Sequence, residues 1–119
     1  MGLWNLFGNR LPAVDAETAR ELVAGEAVML DVREATEWRA GHAPHAVHVP
    51  LGRIAEAPKR LRAGRQVVVV CRSGNRSRQA TRRLRELGID AVNLRGGMRA
   101  WQAAGGAVVD GRNRPGVVA

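Results

Sequence analysis

One cysteine stands in this chain of 119 residues, and its neighbours decide what it can do. Cys71 follows four valines, Val67 to Val70, and opens the stretch Cys71-Arg72-Ser73-Gly74-Asn75-Arg76, after which SRQATRRLRELG has the pattern of a helix. Gly74 lets the backbone curl through positive φ, so that successive N–H groups can point at one spot and form a nest for an anion. The dipole of the following helix adds partial positive charge there, and Arg72 and Arg76 add full charges if they turn inward. A thiol in that setting is shifted toward its thiolate, which is the nucleophilic form. The same nest suits negative charge carried on sulfur, as in a cysteine persulfide. The opposing reading is a buried, inert cysteine. It fits poorly with a residue that ends a strand and begins a loop containing glycine and arginine.

The elements that must hold this loop can be read from pattern. Four valines without polar alternation belong at the centre of a parallel sheet. Ala27 to Val32 (AVMLDV) is a second strand buried on both faces, Ala46 to Val49 is a brief one, and Ala91 to Leu94 is another. Between them lie helical stretches. Asp15 can cap a helix whose apolar face is Ala19, Leu22 and Val23 and which Gly25 stops. EATEWRAG closes on Gly41 with Trp38 as its core anchor, a short helix fits Ile54 to Leu61, and Trp101 anchors Met98 to Ala104. The helix after the Cys71 loop carries Ala80, Leu84 and Leu87 on one face and stops at Gly88. Strand and helix alternate without a hairpin signal, which predicts an α/β domain with a parallel sheet. In such sheets ligands sit at the C-terminal ends of strands, where Cys71 lies.

The length allows one domain and one core. With 45% apolar and 25% charged residues the composition is that of a soluble globular protein. No apolar run approaches the roughly 20 residues of a membrane helix, and residues 1–10 lack the pattern of a secretory signal. A lone cysteine excludes an internal disulfide and a cysteine-rich zinc site and fits a reducing, cytoplasmic setting. The net charge is +8, and between Lys59 and Arg85 there are ten basic residues and no acid. Charge clustered around Cys71 suggests an anionic partner.

Four blocks now stand together: DVREATEW from Asp31, GHAPHAVHVPL from Gly41, CRSGNRS from Cys71 and LRGGMRAW from Leu94. In content, order and spacing they resemble a single-domain rhodanese of the sulfurtransferase type, over about Val14 to Gly105. The resemblance implies a parallel sheet of about five strands with helices on both faces. It divides the chain into an extension over 1–13, a domain over 14–106 and a tail over 107–119 that frays from Gly111. It implies that Cys71 takes sulfane sulfur from a donor such as thiosulfate and passes it, through a persulfide, to cyanide or a thiol. The loop residues Arg72, Ser73, Gly74, Asn75, Arg76 and Ser77 would bind the substrate, Asp31 would support the site, and no cofactor is called for. A protein of a sulfur relay is a further partner of the same chemistry. The related phosphatases and arsenate reductases have a loop one residue longer, whereas Cys71 and Arg76 are separated by four residues. No general acid lies within the loop, which also favours sulfur transfer.

Other residues invite weaker readings. His42, His45 and His48 are spaced three apart, but in extended chain such positions alternate faces and Pro44 prevents a regular helix, so no metal site is expected. The family pattern often has glycine where this chain has His45. Asp31 and Arg33 could form an acid and base pair, though the scaffold role is preferred for Asp31. Arg78, Arg82 and Arg85 form a basic stripe, but with no interleaved aromatics nucleic-acid binding is not expected. Trp4, Leu6 and Phe7 could dock on the core or on a partner.

Overall fold

The computed structural model describes residues 10–119, so Trp4, Leu6 and Phe7 lie outside the described residues. The elements are β1 (Ala13–Val14), α1 (Ala16–Ala24), β2 (Val28–Asp31), α2 (Ala35–Ala40), β3 (Val47–His48), a 3₁₀ segment (Leu51–Glu56) running into α3 (Ala57–Arg60), β4 (Val67–Val70), α4 (Asn75–Glu86), β5 (Ala91–Leu94) and α5 (Gly97–Ala103). All five strands pair in parallel in the order β1-β5-β4-β2-β3, with the valine strand β4 central. The α/β architecture expected from the alternation is present. β1 is the addition: two residues give no periodicity, and it is defined by its pairing with Asn93 and Leu94.

The pleat sorts the core into two layers. Val68, Val70, Val92 and Leu94 pack with Ala16, Ala19, Met98 and Trp101, so α1 and α5 cover one face. Leu30, Val67, Val69 and Ala91 pack with Ala57, Ala80 and Leu84, so α3 and α4 cover the other. Asp15 caps α1 by accepting the Thr18 N–H at 2.8 Å.

Two expectations need correction. Trp101 is a core anchor, 5% exposed with its Nε1 donating to the Ala107 carbonyl at 2.8 Å. Trp38 is not: α2 buries no residue, and the half-buried indole instead lies parallel to the rings of His42 and His48, at 3.6 and 4.8 Å between centroids. The segment expected to fray is bonded to the domain. Val117 N–H donates to the Ala40 carbonyl at 3.0 Å and Gly116 N–H to the Val108 carbonyl, while Val109, just ahead of that segment, exchanges backbone hydrogen bonds with His42. Gly116 packs so closely on Ala40 and Gly41 that the strip carries no side chain there.

Candidate active site

β4 ends at Val70, and the loop 71–74 carries the chain to α4 on the face where α4 covers the sheet. Gly74 has φ +115° and sits at the N-cap of α4, with no side-chain cap bond, so the first-turn N–H groups are left to the loop. The Gly74 N–H donates to Cys71 Sγ at 3.1 Å, and the Ser77 hydroxyl is 3.3 Å from the same sulfur. Cys71 is 1% exposed. Burial pushes its thiol up, but the Ser77 hydroxyl and the N–H groups of Ser77, Gly74 and Ser73 outweigh it, and the net displacement is below the ordinary thiol range.

The loop is shaped from the other side by α5. Met98 N–H donates to the Cys71 carbonyl at 2.8 Å and Arg99 N–H to the Arg72 carbonyl at 3.3 Å. With those carbonyls drawn outward, the N–H groups of the loop turn inward to the sulfur. Gly97 makes the approach possible: it has φ +60°, and a Cβ there would lie 2.5 Å from the Arg72 carbonyl carbon and closer still to the Cys71 oxygen. Beneath the sulfur, Ser77 also contacts Asn93 Oδ1 at 2.6 Å and the Gly74 carbonyl at 3.1 Å. Thr81, one turn on, donates to the Ser77 carbonyl at 2.7 Å and fixes that turn.

Cys71, Ser73, Gly74 and Ser77 thus meet around one point. Ser73 and Asn75 are exposed at its rim. The two arginines do not touch the sulfur. Arg76 is locked to Glu37 of α2 by paired bonds of 2.6 and 2.8 Å, and Glu37 also accepts the Glu34 N–H at 3.0 Å in a capping box. The Arg76 hydrogen bonds hold the Glu37 carboxyl down to about 2. Arg72 is exposed and its Nε donates to the Ala119 main-chain oxygen at 2.9 Å.

Asp31 lies at the end of β2, fully buried with Arg33. It accepts the Arg33 backbone N–H at 3.0 Å and grips the guanidinium from 2.7 to 3.1 Å, while Arg33 Nη2 donates to the Gly41 carbonyl at 2.7 Å. This pair fastens both ends of α2, the helix that presents Glu37 to the loop. Removing one partner of such a pair costs about 3–5 kcal/mol. His42 Nδ1 and His48 Nε2 bond the Trp38 and Arg33 carbonyls at 2.7 and 2.8 Å. His45 is exposed with φ +65°. Among the described residues no group of His, Cys, Asp and Glu is placed to hold a metal ion.

Residues 15–104 match the rhodanese-like domain family. The chain belongs to that family. A Bacillus subtilis relative, "Putative sulfurtransferase YtwF", is 42% identical over 77 residues, 65% of this chain and 75% of its own length. A second from the same organism, "Putative sulfur carrier protein YrkF", is 33% identical over 94 residues, 76% of this chain and 51% of its own. The chain spans about half the length of YrkF and of the next two curated relatives it matches. The solved thiosulfate sulfurtransferase of Pseudomonas aeruginosa superposes with a TM-score of 0.77 at 28% identity, over 92% of this chain and 22% of that one. Within this rhodanese-like domain, His45 holds a left-handed backbone turn.

Three contributors escape a reading of the loop alone: Glu37, Asn93 and the Gly97-Met98 step. Asn93 had a signal, being the one polar residue in the buried strand AVNL. Gly97 had one as the second glycine of a pair. Glu37 had none, because its partner Arg76 is 39 residues away.

Proposed function

We propose that this rhodanese-like domain is a sulfurtransferase in which Cys71 carries sulfane sulfur as a persulfide, taken from an anionic donor such as thiosulfate and given to cyanide or a thiol. The observation that carries the reading is the Cys71 sulfur set in a nest of N–H groups, with the Gly74 amide at 3.1 Å and the Ser77 hydroxyl at 3.3 Å.

In the first half-reaction the Cys71 thiolate attacks the outer sulfur of thiosulfate. A new S–S bond forms, the S–S bond of thiosulfate breaks, and sulfite leaves with the electron pair. In the second, the acceptor attacks the outer sulfur of the persulfide, and the bonding pair returns to Cys71 as thiolate. Both half-reactions leave a negative charge on sulfur within the nest, where fixed N–H dipoles need no reorganisation. The Ser77 hydroxyl has one proton and three acceptors about it: Cys71 Sγ, Gly74 O and Asn93 Oδ1. Bonds to a charged acceptor are the stronger, so ionisation of Cys71 draws the proton to sulfur. Arg72, exposed beside the loop, supplies positive charge for the approach of the donor.

Phosphate ester hydrolysis fits less well. It requires a general acid, and Glu37, the carboxyl bonded to the loop arginine, is ionised at neutral pH with its pKa at about 2. A relay module that hands the same persulfide to a protein partner is the second reading. YrkF's name supports it, and so does a sulfur only 1% exposed. A chemistry that requires a free thiol fits the cytoplasm, and no helix among the described residues is long and apolar enough to cross a membrane.

Intact mass of the protein before and after thiosulfate, and then after cyanide, tests the proposal. Wild type gains the mass of a sulfur atom and loses it to cyanide; Cys71→Ser gains nothing. A gain that survives Cys71→Ser overturns the reading. Loading from a protein donor without loading from thiosulfate selects the relay.

A further inference from the structure

On the α4 face, beyond β5 from the sulfur, the sheet edge opens into a concavity of about 570 Å³ lined by Arg10, Leu11, Ala13, Arg78, Asn93 and Arg95. Three of its six lining residues are arginines, and all three are exposed. No ion pair among the described residues involves Arg10 or Arg78. The nearby acid is Asp15, whose carboxylate feels Arg95 but is already committed to capping α1 through Thr18. The floor is Asn93, 3% exposed, which contacts Ser77 at 2.6 Å, and Ser77 in turn contacts Cys71 Sγ. The basic stripe read from the sequence is therefore not uniform. Arg78 faces this concavity, whereas Arg85 donates to the Ala91 carbonyl at the other end of β5.

The position relative to the sulfur is fixed by the sheet order. β4, which leads into Cys71, is two strands from β1, and at about 4.8 Å between strands the concavity lies about 10 Å across from the sulfur. Its near end opens where the strands end, since Arg95 follows β5 directly and a Cβ on Gly74 of the loop would lie 3.5 Å from the neighbouring Gly96 N, while Arg10 and Leu11 at its far end precede β1. We infer that this concavity is a binding subsite for the anionic end of the sulfur acceptor, which makes the preferred acceptor a thiol bearing carboxylate or phosphate groups about 10 Å from its sulfur. The inference rests on the persulfide reading of Cys71. The acceptor thiolate attacks the outer persulfide sulfur, its new S–S bond forms as the S–S bond to Cys71 breaks, and the electron pair returns to Cys71. No external oxidant or reductant is needed. Three guanidinium groups around the far end orient the acceptor without entering the reaction.

The test compares acceptors that differ only at that end: acetyl-Cys-Gly-Glu with two carboxylates, acetyl-Cys-Gly-phosphoserine-amide with phosphate alone, and neutral acetyl-Cys-Gly-Gln-amide. In the full chain, kcat/KM for at least one charged acceptor should exceed that for the neutral one by about tenfold, and the arm that does so names the group. In the double variant R78Q/R95Q the ratio of charged to neutral should fall to about unity, whatever the absolute rates. A ratio equal in both proteins overturns the inference. Because Cys71 could fail to carry sulfur at all, binding of acetyl-Ser-Gly-Glu and acetyl-Ser-Gly-phosphoserine, which accept no sulfur, is measured as well. Affinity for at least one that weakens about tenfold in R78Q/R95Q, with amide shifts at Asn93 and Arg95, supports the subsite independently of catalysis. If neither analogue loses affinity in the variant, the subsite is refuted.

Discussion

Glu37 links the stability of this domain to the charge of its loop, and Glu37→Gln separates the two. The wild-type carboxyl is held at about 2 against an ordinary 4.5, chiefly by its hydrogen bonds from Arg76. Taken at full strength that displacement is about 3 kcal/mol. The side chains are 33% exposed for Arg76 and 18% for Glu37, so screening by solvent brings the pair to about 1–2 kcal/mol. The sign follows from the direction: a carboxyl lowered on folding stabilises fully above its unfolded value. That contribution fades as pH falls from 4.5 toward about 2. Glutamine keeps an oxygen for the Glu34 N–H and loses only the charge. Urea unfolding should therefore show Glu37→Gln less stable than wild type by about 1–2 kcal/mol near pH 7, with the gap closing to under about 0.5 kcal/mol near pH 2.5. The freed Arg76 should also lower KM for thiosulfate. An equal stability gap at both pH values would refute the reasoning, because it would place the effect in packing or capping rather than in the ion pair.

Four further outcomes follow from the same geometry. Gly97→Ala combines a left-handed φ of +60° with a Cβ that meets the Cys71 and Arg72 carbonyls, both backbone groups held by α5; thermal unfolding should drop by about 10 °C, and persulfide loading should fall with it. Ser77→Ala removes one of the groups that hold the Cys71 thiol down and strips Asn93 of its partner. The pH profile of iodoacetamide alkylation should move upward, and stability should fall by about 1–3 kcal/mol. His45→Gly relieves an exposed residue with φ +65°, and the urea midpoint should rise by the equivalent of about 0.5–1 kcal/mol; a decrease would show that the imidazole makes a contact worth more than the strain. Raising salt from about 0.05 to about 0.5 M should slow loading from thiosulfate, which depends on exposed Arg72, yet leave alkylation by neutral iodoacetamide unchanged, because N–H groups bonded to a buried sulfur are not screened.

Local patterns carried much of the architecture. Four valines in a row admit little but a central parallel strand, and a glycine three residues after the strand-end cysteine, just before an amphipathic helix, requires a tight left-handed entry into that helix. What stayed hidden was set by contacts distant in sequence. β1 is two residues whose strand character comes from β5. Trp38 looks like an anchor because it is the large apolar residue of α2, but that helix is held by the buried Asp31 and Arg33 pair and by its capping box, and the indole is left to stack on histidines. Residues 111–119 have too little hydrophobicity to announce order. Their backbone groups find Ala40, Val108 and Arg72 all the same.

The same distinction explains why the charges around Cys71 are placed as they are. A loop rich in arginine suggests that guanidinium groups hold the anion, yet Arg76 is neutralised by Glu37 and Arg72 faces outward. A sulfur that is 1% exposed and touched by a bare cation would be pinned as a thiolate, costly to desolvate and slow to give up charge to an incoming sulfur. Backbone N–H dipoles and a hydroxyl stabilise the same charge more gently and stay in place while it moves between the Cys71 sulfur and the one beyond it. The carbonyls that would oppose them are drawn off by Met98 and Arg99 N–H groups, which is possible only because position 97 has no side chain. The cradle is therefore a joint product of β4, α4 and the Gly97 turn, and the cysteine loop moved without that turn would keep its residues and lose its inward amides.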